Sequence, residues 1–327
     1  MTTLEGPYFE QLAVGQVLDW APGVTLTGGL AAAHQAVTGD RLRIPLDHHL
    51  AREVTGGGVP VHPALVWNIA IGQSTLATQH VKANLYYRDL VLRRWPVLGD
   101  TLRTRVEVVG LRQNKPRDGR RPTGLAGLQI TTTDQDGRLV LNFQRCAMIS
   151  LADAAVQTGH VDPMEVSGPD PDAERFVESL KGWRPDRFAA CMASAPDAEL
   201  RPGSTYEIGG GDVVSSAPQL ARLTLNIAAV HHDEQAGGGS RLVYGGHTIA
   251  VAMAQLSRAL PRLVNVPGWY SCDHLAPVRE GDTLRSAVTV ERVRELSDWG
   301  KLVDLRSRVR TGDGQAVLDW RFAAVVA

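Results

Sequence analysis

Hydrophobic and polar positions alternate with the strand period in several stretches of the chain. Leu102, Thr104, Val106 and Val108 alternate with Arg103, Arg105 and Glu107, and Val288 and Val290 alternate with Thr289 and Glu291. The same two-residue period runs from Val303 to Arg310. Such patterning buries one sheet face and wets the other. Two stretches lack a polar face altogether, Pro63 to Ala77 and Thr248 to Leu260. Their length and their Ala, Leu, Ile and Met content predict helices buried on most sides. A Gly-rich loop precedes each, Gly56-Gly57-Gly58 and Gly237-Gly238-Gly239, and a shorter helix is predicted before that.

These elements are written twice. Trp95 to Arg103 reads WPVLGDTLR and Ala276 to Arg285 reads APVREGDTLR, each leading into an alternating strand. Near the end of each half an Asp-Gly pair, Asp136-Gly137 and Asp313-Gly314, opens a further hydrophobic run. Asp-Gly between such runs signals a hairpin, because glycine supplies the positive φ of a tight turn. The order in both halves is short helix, loop, buried helix, then antiparallel strands, an α+β layout. This predicts one unit over residues 1–150, a second over 201–327, and a connector over 151–200. The connector is rich in Pro, Asp and Ala, with one helix expected near Ala173 to Leu180.

Composition narrows the class. The 327 residues carry 34 Lys plus Arg and 35 Asp plus Glu, a net charge of −1, so no global field favours nucleic acid or an anionic membrane. No apolar stretch is long enough for a membrane span. The amino terminus shows no basic segment followed by an apolar one, and the three cysteines, Cys146, Cys191 and Cys272, have no CxxC spacing. These features predict a cytoplasmic protein without a disulfide framework or thiolate metal site. GxGxxG, P-loop, HExxH and GxSxG signatures are absent.

The region with candidate chemistry lies in the second half, from Asn226 through His231 to Tyr244-Gly245-Gly246-His247. The Asn226-x4-His231 spacing, the Leu242-Val-Tyr-Gly-Gly-His247 segment, the LAPVREGDTL segment and Gly110-Leu-Arg-Gln-Asn114 resemble the MaoC-like hydratases. Within these the chain is similar to the mesaconyl-CoA hydratases (β-methylmalyl-CoA dehydratases). The resemblance implies a double hotdog fold, a homodimer, and a 2-enoyl-CoA substrate of which a branched or dicarboxylic one such as mesaconyl-CoA is an example, with coenzyme A entering only as part of that substrate and no separate cofactor or metal.

Adding water to a 2-enoyl thioester requires a base, a proton source for the α-carbon, and donors for the thioester oxygen. On this reading His231 is the acid/base and Asn226 orients the water. Gly245 and Gly246 offer backbone N–H groups at a helix start, and Tyr244 and His247 flank the substrate. The first half keeps an acid at Asp40 but has Pro45 where the histidine would fall, which marks a pseudo-site.

Other readings stay open at this level. His231 could cap a helix, Asn226 could end one, His247 could fill a helix turn, and His232 is expected to face solvent. His48, His49 and His62 fall in loops with no metal spacing. Lys115, Arg117, Arg120 and Arg121 form a basic hairpin loop, either solvated or facing coenzyme A phosphates. A hotdog thioesterase and a non-catalytic acyl-thioester binding protein remain alternatives to the hydratase.

Overall fold

The computed structural model describes residues 5–164, 173–296 and 299–327. The first half contains the short strands β1 (Val17–Leu18) and β2 (Val24–Thr25), then helices α1 (Gly28–Thr38), α2 (Arg43–Leu46), α3 (His48–Thr55) and α4 (Pro63–Gln73). Four long strands follow, β3 (Val81–Leu92), β4 (Thr101–Gln113), β5 (Thr123–Thr133) and β6 (Leu139–Ser150). The connector holds α5 (Ala173–Val177) and α6 (Pro185–Cys191). In the second half come β7 (Thr205–Glu207), β8 (Asp212–Val213), α7 (Ala217–Leu223) and α8 (Gly245–Ala259). Strands β9 (Leu263–His274), β10 (Thr283–Leu296), β11 (Gly300–Thr311) and β12 (Ala316–Val326) complete the chain.

All the strands join one antiparallel sheet in the order β1-β4-β5-β6-β3-β9-β12-β11-β10-β7, with β2 on β4 and β8 on β10. The order is the same read from either end, so the repeat in sequence becomes a two-fold pseudosymmetry in space. The halves meet along β3 and β9, where Tyr87 lies opposite Cys272 and Leu90 opposite Trp269. Arg88 and Asp273 close an ion pair of 2.7 Å across this seam. The layout is α+β and is that expected of a double hotdog.

The duplicated Gly-Asp-Thr-Leu segments have a common physical cause. Gly99 and Gly281 take φ values of 100° and 96°, open to glycine and strained for other residues. The following carboxylate then closes the turn: Asp100 accepts the N–H of Val97 at 2.9 Å, and Asp282 that of Arg279 at 2.7 Å. Gln73 near the end of α4 and Gln255 in α8 each donate to a carbonyl of the strand that follows, Leu102 and Leu284. Both hairpin glycines, Gly137 and Gly314, have positive φ as the Asp-Gly signal predicts.

Every residue of α4 is buried, so this helix has no polar face to keep. Trp67 on α4 packs edge-on to Trp269 on β9, with ring centroids 4.8 Å apart, and Trp320 on β12 joins them. One aromatic cluster thereby ties the first half's helix to the second half's sheet. The connector docks as well, burying Phe176, Leu180, Phe188 and Met192 against Val264, Tyr270 and Leu302. It contains a second helix, α6, beyond the one expected near Ala173 to Leu180. Pro185 sits in the first turn of α6, where its missing N–H costs nothing. The buried helix of the second half begins at Gly245, three residues before the apolar stretch suggests, because its first turn is built from glycines. His48 and His49 lie in the exposed first turn of α3 rather than in a loop. Among the described residues no helix is long and apolar enough to cross a membrane.

The halves approach closely at Gly72, where an added Cβ would sit 1.8 Å from the carbonyl oxygen of Thr224. Gly72→Ala is expected to cost about 1–3 kcal/mol or more of stability. Gly28→Ala, at a position with open space around it, serves as the near-neutral control in the same thermal melts.

Candidate active site

A cavity of about 530 Å³ opens between the two halves. The second half supplies Asn226, His231, Tyr244, Gly245 and His274 to its wall, and the first half supplies Asn84 and Tyr87 from β3 and Arg145 from β6. No aspartate or glutamate lines it among the described residues.

The loop after α7 is shaped to bring two of these side chains inward. Thr224 ends the helix by donating its hydroxyl to the Leu220 carbonyl at 2.9 Å. Leu225 then takes a left-handed φ of 58°, a strained conformation for a branched side chain. This reverses the chain and buries Asn226, whose Oδ1 accepts the N–H of Ala228 at 3.0 Å. That bond uses one of the two lone pairs of the amide oxygen, and no hydrogen bond from the NH2 to protein is formed among the described residues. Asn226 therefore has its NH2 available as a donor at the cavity wall. A short 3-10 turn, Ala229–His231, carries His231 inward.

The His231 ring lies with Nδ1 2.8 Å from the carbonyl oxygen of Leu242. A carbonyl only accepts, so Nδ1 holds the proton and Nε2 keeps its lone pair. Burial pushes the His231 pKa down to about 4, opposed by the Leu242 bond and aided by the nearby His232 and Arg145. The imidazole is therefore neutral near pH 7 and able to accept a proton. His232 does not face solvent freely, since its Nε2 donates to the Asn226 carbonyl at 2.6 Å and fixes the loop from behind.

The predicted oxyanion and substrate residues divide. Tyr244 caps the start of α8 and lines the cavity, its hydroxyl donating to the Asn68 carbonyl at 3.1 Å. Gly245 also lines it, and an added Cβ would come within 2.6 Å of His274 Nε2, so glycine is needed for that close approach. Gly246 does not line the cavity. It packs on Asn68, whose Oδ1 would lie 2.1 Å from an added Cβ, and so serves helix packing. His247 is turned away too, buried with neither ring nitrogen hydrogen-bonded, its pKa lowered to about 4 by burial.

The first half repeats the loop with different chemistry. Gly39 is left-handed where Leu225 is, and Asp40 Oδ1 accepts the N–H of Leu42 at 2.7 Å as Asn226 does that of Ala228. Asp40 is not the lone acid that the sequence suggests. His62, which caps α4 as Tyr244 caps α8, accepts the Ala64 N–H on Nδ1 and places Nε2 2.9 Å from Asp40 Oδ1. Burial works against the Asp40 charge, but His62 and the Leu42 N–H hold its carboxyl below the ordinary range. His34 stacks obliquely on His62 and is pushed down to about 3, chiefly by burial. No group of three or more His, Cys, Asp or Glu side chains could hold a metal ion among the described residues.

His274 and Arg145 escape sequence reasoning because no motif contains them. His274 is held down to about 4 by burial, and its Nε2 lies enclosed without a partner beside Gly245. Arg145 did leave a signal, since it interrupts the inward-facing series Leu141, Phe143, Ala147 and Ile149 of β6. Its counterpart after the second Asp-Gly turn is Phe322.

Comparison with known proteins identifies the family and the fold. The mesaconyl-CoA hydratase family matches over residues 1–292. The mesaconyl-CoA hydratase of Cereibacter sphaeroides is 27% identical over 309 residues, 92% of this chain and 88% of that protein. The β-methylmalyl-CoA dehydratase of Chloroflexus aurantiacus is 28% identical over 296 residues, 86% of this chain and 81% of that one. Among solved structures, a conserved hypothetical protein of Mycobacterium tuberculosis with a double hotdog fold is 49% identical, with a TM-score of 0.88 over 98% of both chains. A MaoC domain protein of Chloroflexus aurantiacus shares the fold at 22% identity, with a TM-score of 0.83 over 100% of this chain and 99% of that one. The chain belongs to the mesaconyl-CoA hydratase family.

Proposed function

We propose that the protein catalyses reversible addition of water to a 2-enoyl-CoA thioester, with His231 as the acid/base. The observation that carries this reading is the free Nε2 of a neutral, tautomer-fixed His231 in a cavity between the halves. Nε2 takes a proton from water as its oxygen bonds to C3 of the acyl chain. Charge moves onto the thioester oxygen, where the N–H of Gly245, at the start of α8, supplies a donor. The imidazolium then returns a proton to C2, so that water is added across the double bond and the histidine is regenerated. The Asn226 amide donates to the water oxygen and sets its direction. Lys82 and Arg279 on the cavity wall suit the phosphates of coenzyme A.

The thioesterase alternative calls for a carboxylate near the start of the helix, and none lines the cavity among the described residues. Mesaconyl-CoA, the compound named in the C. sphaeroides relative, is the first substrate to offer, with crotonyl-CoA beside it. Following enoyl absorbance and free thiol together separates the readings: loss of the enoyl band without thiol is expected. Thiol release would indicate hydrolysis instead. His231→Ala is expected to lower kcat by about 100-fold or more. Asn226→Ala should lower it less, by about 10- to 100-fold, through lost water orientation. Full activity in His231→Ala contradicts the assignment.

The lowered histidine values set the pH behaviour. Because His231 is already neutral at pH 6, the free enzyme's kcat/KM is expected to stay level from pH 6 to 8. A base of ordinary histidine pKa would give a rise across that range. Stability follows the same groups. His34, His231, His247 and His274 are all depressed, so the unfolded chain binds more protons than the folded one below the ordinary value of 6.5. Their contribution is complete above that value and is lost as pH falls toward about 4. The melting temperature should therefore drop steadily as pH falls through this window, and a level melting temperature there would contradict the neutral, buried histidines.

A further inference from the structure

A thioester oxygen in this cavity meets one backbone donor, where its developing charge calls for more than one. Gly245, the first residue of α8, supplies an N–H that its helix leaves unbonded. Gly246, which the sequence offers as the other donor, does not line the cavity. His274 stands at the place of the missing one. It ends β9, lines the cavity, and lies so near Gly245 that a Cβ there would come within 2.6 Å of its Nε2. The histidine edge and the first turn of α8 therefore share one stretch of the wall.

The fold does not ask for a histidine here. His274 pairs with Leu318 across the sheet, and in the first half the matching Leu141 pairs with Leu92. Leu92 is fully buried, so an apolar side chain fills the duplicated position. His274 also packs edge-on to Tyr87, with ring centroids 5.8 Å apart, a contact that needs a ring but no nitrogen. Its Nε2 is enclosed without a partner among the described residues, an unfavourable state that packing alone does not explain. Proton placement makes the ring a donor. Nε2 faces the Cα–H of Gly245, a weak donor, and keeps its lone pair, since a proton there would be buried with no acceptor. The proton therefore sits on Nδ1, at the edge turned to the cavity. Burial, with Arg145 and His231 nearby, holds the pKa down to about 4, so the ring is neutral near pH 7. His231 is the reverse case, with its Nδ1–H bonded to Leu242 and its Nε2 lone pair free. One histidine offers the cavity an acceptor and the other a donor.

We propose that His274 is a catalytic residue, the second oxyanion donor beside Gly245, which holds the thioester oxygen as it becomes an enolate. The assignment rests on the 2-enoyl-CoA reading above and deepens it. The oxygen of water bonds to C3, its proton goes to His231 Nε2, and the π electrons of the double bond shift to leave the charge on the thioester oxygen. His274 keeps its proton throughout and gives only a hydrogen bond. Return of the proton from His231 to C2 restores the carbonyl.

The test pairs His274→Phe, which keeps the ring and loses the N–H, with His274→Asn, whose amide NH2 takes the place of the Nδ1–H. On mesaconyl-CoA, His274→Phe is expected to lower kcat by about 100-fold or more, with KM within about 3-fold of wild type. His274→Asn should recover kcat to within about 10-fold of wild type. A kcat within about 3-fold of wild type in His274→Phe would overturn the proposal. So would a loss confined to KM, or equal losses in both variants, which would mark a packing role. Should His274→Phe fail to fold, His274→Leu, the residue type of the duplicated position, takes its place. If the wild-type chain hydrates no enoyl thioester, infrared spectra of bound crotonyl-CoA, labelled with carbon-13 at its carbonyl, still read the donors. A carbonyl stretch lowered in the wild-type chain, with about half of that shift lost in His274→Phe, would keep the donor pair and reject the hydration reading. The same stretch in both chains would reject the donor.

Discussion

The antiparallel pairing of β3 with β9 is the constraint from which the site follows. It makes one sheet of two duplicated halves and sets α4 and α8 side by side within it. Because β3 then serves both as a seam strand and as a cavity wall, residues of the first half face a histidine of the second. Tyr87 shows both roles, opposite Cys272 in the ladder and on the wall of the cavity that holds His231. The aromatic contacts of Trp67 with Trp269 and Trp320 hold the same joint from the helix side. A half on its own would lack either the base or the arginine.

Duplication gives the two loops one backbone and lets their side chains diverge. Thr38-Gly39-Asp40 and Thr224-Leu225-Asn226 share a helix end, a left-handed residue and a side-chain oxygen that accepts an N–H two residues on. From that common frame the first half builds a buried Asp40–His62 contact, and the second presents a free imidazole to a cavity. Glycine would fit the left-handed position more easily than Leu225. The strain there sits one residue from Asn226, where backbone strain of this kind commonly accompanies function.

Much of this was legible in the sequence because it depends on local patterns. Period-two alternation marked β4, β10 and β11. Asp-Gly marked the hairpins, and the repeated Gly-Asp-Thr-Leu marked two equivalent turns whose carboxylates and positive φ values explain the repetition. Asn226, His231, Tyr244 and Gly245 were within reach because they lie close together along the chain. What escaped depends on which face of an element meets the cavity. Gly246 and His247 sit beside Gly245 in sequence but on the other side of α8, while Arg145 and His274 arrive from separate strands. Asp40 looked isolated because its histidine comes from position 62 instead of from the matching loop position. Only Arg145 carried a sequence signal, a charge on the apolar face of its strand.

The most direct test of the account is where water oxygen ends up. Incubation of the protein with mesaconyl-CoA in oxygen-18 water, followed by mass spectrometry, should place one labelled oxygen in a hydroxyl group on the acyl chain of an intact CoA thioester. Label in a released free acid, or an unlabelled enoyl thioester recovered unchanged, would contradict hydration as the chemistry of this site.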